Sequence, residues 1–278
     1  MLRGPLVLGT SNPGTVYSDF GGVARNVARN LDRLGCDVLL CSRVGDDEAG
    51  RSVRLQPLDT SLITVSQTSP TASYTAIMET TGELVIGVAD MDVYDEVTPE
   101  VLAPALPRLR EASHWFVDTN LPGETIAWLL ESATAPVAID AISVAKSRRL
   151  VPLLPRIPYL FCNLAQAGSM AGASFGDLRE GVEALVALGA ARGVVSAGAR
   201  GIAVYERGEV TVMTALAAIP RDVTGAGDGL VSGTLYGLSR GLSLRDAARL
   251  GLAAAAIAVE SESSAAPELT LEALHARA

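Results

Sequence analysis

The stretch Arg221-Asp222-Val223-Thr224-Gly225-Ala226-Gly227-Asp228 sets two glycines and an alanine directly before a carboxylate, where a long small-residue helical pattern begins. Three readings compete for it. A dinucleotide fingerprint needs a third glycine three positions after Gly227, and Leu230 stands there. A Walker A loop needs Gly-Lys-Ser/Thr, and the single lysine of the chain, Lys146, follows Ala145. What remains is an anion hole. Gly225, Ala226 and Gly227 have little or no side chain, so their N–H groups can turn toward one oxygen-rich group, and the helix that follows adds its positive end. Asp228 is then a candidate general base for a substrate hydroxyl. Taken alone, the stretch reads equally well as a glycine turn with Asp228 capping the helix.

A second glycine site lies near the start, in Phe20-Gly21-Gly22-Val23-Ala24-Arg25-Asn26. Its glycines let a ligand approach the backbone, and Asn26, four positions after Gly22, falls on the same helical face. An amide that both donates and accepts suits sugar hydroxyls; the plain alternative is a turn followed by a solvent-facing Asn. Between the two sites, Asp118, Asn120, Asp140, Asn163 and Ser196 each end a short apolar run. Parallel strands reach their carboxyl ends at such positions, and ligands bind in the crevice outside those ends. Any one of the five also suits a turn or helix cap.

The rest of the pattern supports that crevice. VARNVARNLDRLG reads as an amphipathic helix closed by Gly35, and DVLLCSRVG as a buried strand. ASYTAIME and ELVIGVAD, joined through Thr80-Thr81-Gly82, read as a hairpin outside the main sheet. From residue 98 onward helical segments alternate with the apolar runs HWFVD, PVAID, PYLFCN and GVVSAG, the mark of a parallel sheet covered by helices on both faces. GIAVYERGEVTVM adds a hairpin turning at Arg207-Gly208, and two Ala- and Gly-rich helices follow, over 228–240 and 244–260.

Composition narrows the partners. With 278 residues, 49% of them hydrophobic, the chain can bury a large core, and a net charge of -9 argues against a nucleic-acid surface. A small-molecule partner is expected. The odd number of widely spaced cysteines, Cys36, Cys41 and Cys162, suggests neither a disulfide framework nor a zinc site, and implies a reduced, cytoplasmic setting. The apolar run at the start is too short for a signal peptide, and no window has the length a membrane span requires, so no membrane partner is expected. His114 and His275 lack a nucleophile or orienting carboxylate beside them and read as structural or solvated.

In their order and wide separation, GGVARN and DVTGAGD resemble the two signature motifs of the ribokinase-type (PfkB) carbohydrate and nucleoside kinases. SNPG, TASYTAI, TTGELVIGVADM and DTNLPGETIAWLL further resemble the pseudouridine kinase subgroup, and the likeness covers nearly the whole chain. It implies a ribokinase-like three-layer α/β/α sandwich with a mostly parallel central sheet and a small β-sheet lid. One kinase domain would span 1–278, with lid segments at 10–22 and 70–95. It implies ATP and Mg²⁺ as cofactors, transfer to the 5′-hydroxyl of a nucleoside, and pseudouridine as that nucleoside. By motif position Asp228 becomes the catalytic base, and Gly225, Ala226 and Gly227 the anion hole. Asn12, Gly21, Gly22, Asn26 and, from the lid, Tyr74, Asp90 and Met91 would meet the substrate. Asn163, Ser196, Gly198 and Gly201 would meet the nucleotide, and Asp222 matches a position that holds a monovalent cation in several members, which extends the expected ions to K⁺. Lids of this family often pair between subunits, and the apolar Leu84, Val85, Ile86 and Val88 give the expectation of a homodimer.

Three departures from the family pattern stand out. The family opens with a strand ending in an Asp that grips sugar hydroxyls, whereas this chain opens on LRGPLVLGTSNPG, which reads as beginning after it. The Asn-x-x-Glu motif that organises magnesium reads Asn163-Leu164-Ala165-Gln166, so an amide replaces the carboxylate at the expected metal position. GRSVRLQPLDTSLI reads as shorter than the helix and turn expected between the second strand and the lid.

Overall fold

The computed structural model describes residues 1–81 and 84–278. Gly82 and Glu83, which the sequence assigns to the turn and second strand of the lid hairpin, lie outside the described residues, as does the side chain of Leu84.

The chain begins with irregular backbone, tied down by an isolated bridge between Leu2 and Gly14 and by the Leu2 N–H donating to Met78 O at 2.8 Å. Helix α1 (Val23–Arg33) follows, then β1 (Leu39–Gly45), α2 (Glu48–Arg54) and β2 (Asp59–Ser66). GRSVRLQPLDTSLI holds the end of a short, seven-residue helix and the start of a strand; Asp47 caps α2 by accepting from Gly50 N. Strands β3 (Ser73–Met78) and β4 (Leu84–Asp90) form the separate antiparallel hairpin. Two short turns of helix, α3 (Pro99–Leu102) and α4 (Leu106–Leu109), lead into β5 (Trp115–Asp118), α5 (Gly123–Ser132) and β6 (Val137–Asp140). Then come α6 (Val144–Ser147), β7 (Tyr159–Asn163), α7 (Leu164–Ala171), α8 (Leu178–Ala187) and β8 (Arg192–Ser196). The chain closes with β9 (Ile202–Glu206), β10 (Glu209–Met213), α9 (Ala226–Ser239), α10 (Leu244–Val259) and α11 (Leu271–Arg277).

Six strands form the main sheet in the order β10-β9-β8-β7-β6-β5. β5 to β8 are parallel, and the β9–β10 hairpin, turning on Arg207 and Gly208 at φ 53° and 85°, adds the antiparallel edge. Side chains alternate across this sheet as the pleat demands. In β7, Leu160 and Cys162 enter the core shared with α5, α7 and α8, while Phe161 points to the opposite core with α1, α9 and α10. Burial on both faces explains why these strands read as continuous apolar runs. The architecture is the ribokinase-like three-layer sandwich with a small lid. One feature differs from a single continuous sheet: β1 and β2 pair with each other in parallel and, among the described residues, hydrogen-bond to no strand of the six.

The last layer depends on glycine. Gly229, Gly233 and Gly237 repeat every fourth residue along α9 and face α10. A Cβ on Gly233 would lie 2.5 Å from Leu250 O, and one on Gly237 2.7 Å from Ala247 Cα. The two helices touch through backbone, which fixes where the first turn of α9 sits over the strand ends.

Candidate active site

Both glycine motifs become helix starts. Gly22, at φ 98°, precedes α1, and Gly225, at φ 86°, precedes α9; neither helix has a side-chain cap. Gly225 is doubly constrained, since a Cβ there would meet Ser264 O at 2.3 Å. Among the described residues the N–H groups of Gly227 and Asp228 have no hydrogen-bond acceptor, and a Cβ on Gly227 would meet nothing within 4 Å. The first turn of α9 thus offers free donors and open space together, as an anion hole requires. The capped-turn alternative fails here: Asp228 is the third residue of α9, and its carboxylate accepts from Asn26 Nδ2 at 2.8 Å.

That bond joins the two motifs. Asn26 is buried, and its own Oδ1 accepts from Arg25 Nη1 at 3.0 Å, which orients the amide. Around Asp228 lie the buried Asp118 and the half-buried Asp140, at the carboxyl ends of β5 and β6. Burial pushes the Asp228 carboxyl up to about 7; the Asn26 hydrogen bond opposes this, and the charges of Asp140 and Asp118 add to it. Burial likewise raises Asp140 to about 7, against the N–H of Ile142 and reinforced by Asp118. Asp118 is raised by burial too, but holds N–H groups of Asn120 and Ala24 and feels Lys146. Lys146 Nζ donates to Asn120 Oδ1, and burial lowers its pKa against the pull of Asp118. The sequence reading placed Asp118, Asn120 and Asp140 along a crevice without assigning them roles, and missed Lys146. The available signal was the lone lysine of the chain, two turns of sequence beyond a strand-ending carboxylate.

Two cavities meet at Asp228. A wide one of roughly 2220 Å³ is lined by Asn12, Gly21, Gly22, Asn26, Tyr74 and Met91, among others. A small one of roughly 150 Å³ is lined by Asn163, Gln166, Ser196, Gly227 and Asp140. Asp228 is the one ionisable side chain among the described residues that lines both. Several expected site residues are engaged otherwise. Asn12 pins its own loop, accepting from Val7 N and donating to Val7 O, both at 2.8 Å. Asp90, exposed at the end of β4 opposite Ser73, lines neither cavity, nor do Ala226, Gly198, Gly201 and Asp222. Gly198 is open, whereas Gly201 lets Met213 O approach to 2.0 Å of where its Cβ would be. Asp222 accepts from Thr224 N at 2.8 Å and so shapes the turn into α9.

Gln166 takes part in a helix cap. Its Oε1 accepts from Asn163 N at 2.7 Å while Asn163 Oδ1 accepts from Gln166 N at 2.9 Å, a reciprocal capping box at the start of α7. Only an acceptor can hold that N–H, so the amide orientation is set and the other end, Nε2, is a donor with no affinity for a cation. Asp140 and Asp228 are the carboxylates on the small cavity, and a magnesium ion entering with phosphates needs one or two such oxygens. With Asp228 as the candidate base, Asp140 is the carboxylate that would meet such an ion, and Gln166 lines the same cavity.

Comparison with known proteins agrees with this geometry. Residues 8–271 match the model of the pfkB family carbohydrate kinases. The chain is 30% identical over 273 residues to the pseudouridine kinase of Escherichia coli, covering 94% of this chain and 86% of that one. It is 32% identical over 272 residues to the E. coli sugar kinase YeiI, covering 94% and 75%. A carbohydrate kinase from Agrobacterium tumefaciens superposes with a TM-score of 0.81 at 33% identity, over 99% of this chain and 91% of the other. A ribokinase from Thermotoga maritima shares the fold, with a TM-score of 0.83 at 19% identity over 99% and 93%. With a helix N-terminus open to an anion, a buried carboxylate facing an acceptor cavity and this span of similarity, the chain belongs to the pfkB family of carbohydrate kinases, phosphotransferases whose acceptor is an alcohol.

Proposed function

We propose that the protein is an ATP-dependent kinase that phosphorylates the 5′-hydroxyl of pseudouridine, giving pseudouridine 5′-phosphate and ADP. The observation that carries this reading is the place of Asp228, hydrogen-bonded to Asn26 and standing where the wide cavity meets the small one. The wide cavity takes the nucleoside, with Gly21, Gly22 and Asn26 against the ribose and Tyr74 and Met91 toward the base. The small cavity and the first turn of α9 take the ATP phosphates. Asp228 removes the hydroxyl proton as the oxygen attacks the γ-phosphorus and ADP leaves in line. The N–H groups of Gly227 and Asp228 hold the charge on the transferring phosphoryl oxygens. A divalent ion bound with the phosphates would rest on Asp140 and neutralise part of that charge.

Similarity to the pseudouridine kinases of E. coli and Arabidopsis thaliana, at 30% and 25% identity, supports the substrate. The comparable similarity to YeiI favours a second reading, a kinase of the same mechanism for another sugar or nucleoside. ADP release measured with pseudouridine, uridine and ribose in parallel separates them. The first reading expects turnover with pseudouridine well above the other two; turnover with ribose or uridine alone sinks it, and nucleotide binding without any turnover identifies a pseudokinase. A reduced intracellular setting and a homodimer formed through the lid complete the proposal.

A further inference from the structure

The small cavity, which the proposed reaction fills with the ATP phosphates, has no Lys or Arg among its described lining residues, while Asp140 and Asp228 both face it. A phosphoryl group passing Asp228 brings negative charge among carboxylates, and a nearby cation lowers the cost. The wide cavity can supply one. Among the described residues its lining holds four Lys or Arg side chains, Arg25, Arg108, Arg240 and Lys146. Three are committed elsewhere: Arg108 pairs with Glu111, Arg240 lies over the Tyr236 ring, and Arg25 donates to Phe20 O, Asn26 Oδ1 and Gln56 Oε1. Lys146 differs. Of the three N–H groups on its Nζ, Asn120 Oδ1 takes one, and among the described residues no other acceptor holds it.

The placement of this ammonium is built from two strand ends. Val23, Ile142 and Asp228 line both cavities, so the turn after β6 reaches their junction. Ile142 stands there at φ 54°, the left-handed region that a β-branched residue adopts only under constraint. In that conformation its N–H donates to Asp140 Oδ1 at 2.6 Å, and the next residue, Ser143, caps α6 by accepting from Lys146 N at 3.3 Å. The loop after β5 is stitched to the same turn. Thr119 Oγ1 donates to Ala141 O at 2.7 Å, and Arg149 Nη1 donates to the carbonyls of Thr119, Asn120 and Leu121 at 3.2, 3.2 and 3.0 Å. Asn120 N–H in turn holds Asp118 Oδ1 at 2.9 Å. Asp118 feels the charge of Lys146 and is itself felt by Asp228, so the ammonium and the base flank one carboxylate.

Resting on the phosphoryl transfer proposed above, we propose that Lys146 is a further catalytic residue, whose ammonium meets the phosphoryl group from the acceptor side and stays on the phosphate of the product. The bond from the acceptor oxygen to phosphorus forms as the bond from phosphorus to the ADP oxygen breaks. The hydroxyl proton goes to Asp228, and Lys146 remains protonated throughout. The residue type suits the part. The N–H groups of Gly227 and Asp228 are fixed in the backbone, whereas a point charge on a flexible stem can leave Asn120 and follow a group that moves from one cavity toward the other.

A chain with a single lysine makes the test direct, because lysine labelled with ¹³C at Cε gives one signal by nuclear magnetic resonance. Pseudouridine 5′-phosphate and ribose 5-phosphate, each at millimolar concentration and without metal, are compared with pseudouridine and ribose. The two phosphates are expected to move the signal and the unphosphorylated compounds to leave it in place. Movement by ribose 5-phosphate alone keeps the proposal and tells against pseudouridine as the acceptor. Equal movement with and without the phosphate assigns Lys146 to the sugar or base and overturns the proposal, as does a signal that neither phosphate moves. In turnover with whichever acceptor the protein uses, Lys146→Met should lower kcat roughly 10²–10³-fold with the acceptor KM within a fewfold, and Lys146→Arg, which keeps the charge, should recover part of the loss. A kcat for Lys146→Met within a fewfold of the unsubstituted protein also overturns it.

Discussion

Asp228 and Asn26 are 202 positions apart in sequence and 2.8 Å apart in the fold, and the proposed chemistry rests on that meeting. Asp228→Asn keeps shape and hydrogen bonding but cannot take a proton. We expect kcat for ADP release to fall by roughly 10²–10⁴-fold, with nucleotide binding by calorimetry largely retained. Turnover within a fewfold of the unsubstituted protein would exclude Asp228 as the base. A base must be ionised, so kcat/KM should rise with pH along a limb near 7, the value to which burial pushes this carboxyl. Asp140 raises it further by repulsion, and Asp140→Asn removes that charge, so the limb should move to lower pH. A pH–rate profile unshifted by the substitution would mean that the two carboxylates do not sense each other. Gln166 offers a converse test. Glu at 166 can still accept the Asn163 N–H, leaving the capping box intact, while its second oxygen adds an acceptor for a cation. Gln166→Glu should tighten Mn²⁺ binding several-fold in the presence of a non-hydrolysable ATP analogue, read by electron paramagnetic resonance; unchanged affinity would place the ion out of reach of this position.

At the scale of the element, α9 carries the proposed anion hole on its first turn, and its height over the sheet is set by backbone contact with α10. The glycine repeat at 229, 233 and 237 is what permits that contact. Gly233→Val inserts side-chain atoms where even a Cβ would lie 2.5 Å from Leu250 O, so the helices must separate. We expect a loss of about 1–3 kcal/mol in urea unfolding, together with a fall in kcat, because the first turn of α9 moves with the helix. Full stability in that variant would show that α9 is not held by the close approach. This repeat was visible as a Gly-rich helical pattern, but its meaning depends on which helix lies opposite. The strands were easier to read. Each buried parallel strand appears as a short apolar run ended by a polar residue, since both of its faces are covered and its carboxyl end opens on the crevice.

For the whole molecule, the lid hairpin leaves Ile86 48% and Val88 59% exposed on one face of β4, while Tyr74 of β3 lies over Gly87 on the other. Apolar strand surface of this kind favours association. The proposed homodimer predicts that Val88→Asp, which puts a charge in that contact, halves the mass measured by light scattering. A monomer before and after the substitution would remove the lid from the interface. Much of the architecture could be read along the chain. The order of helices and strands, the hairpin set apart, and the glycine motifs at two helix starts are local matters, governed by periodicity and by backbone freedom at Gly22 and Gly225. Gln166 illustrates the limit of such reading. The family resemblance implied a weakened metal position there; the structure adds that it shares a capping box with Asn163 and lines one cavity with Asp140, whose distance along the chain gives no hint.

The sequence by itself determined the fold class and set glycines beside a carboxylate at a helix start, because both are carried by local patterns along the chain. Only the tertiary structure decided which side chains share Asp228's surroundings and how far burial raises its pKa. Those properties depend on distances between segments far apart in the chain, which packing of α1 and α9 against the sheet alone brings about.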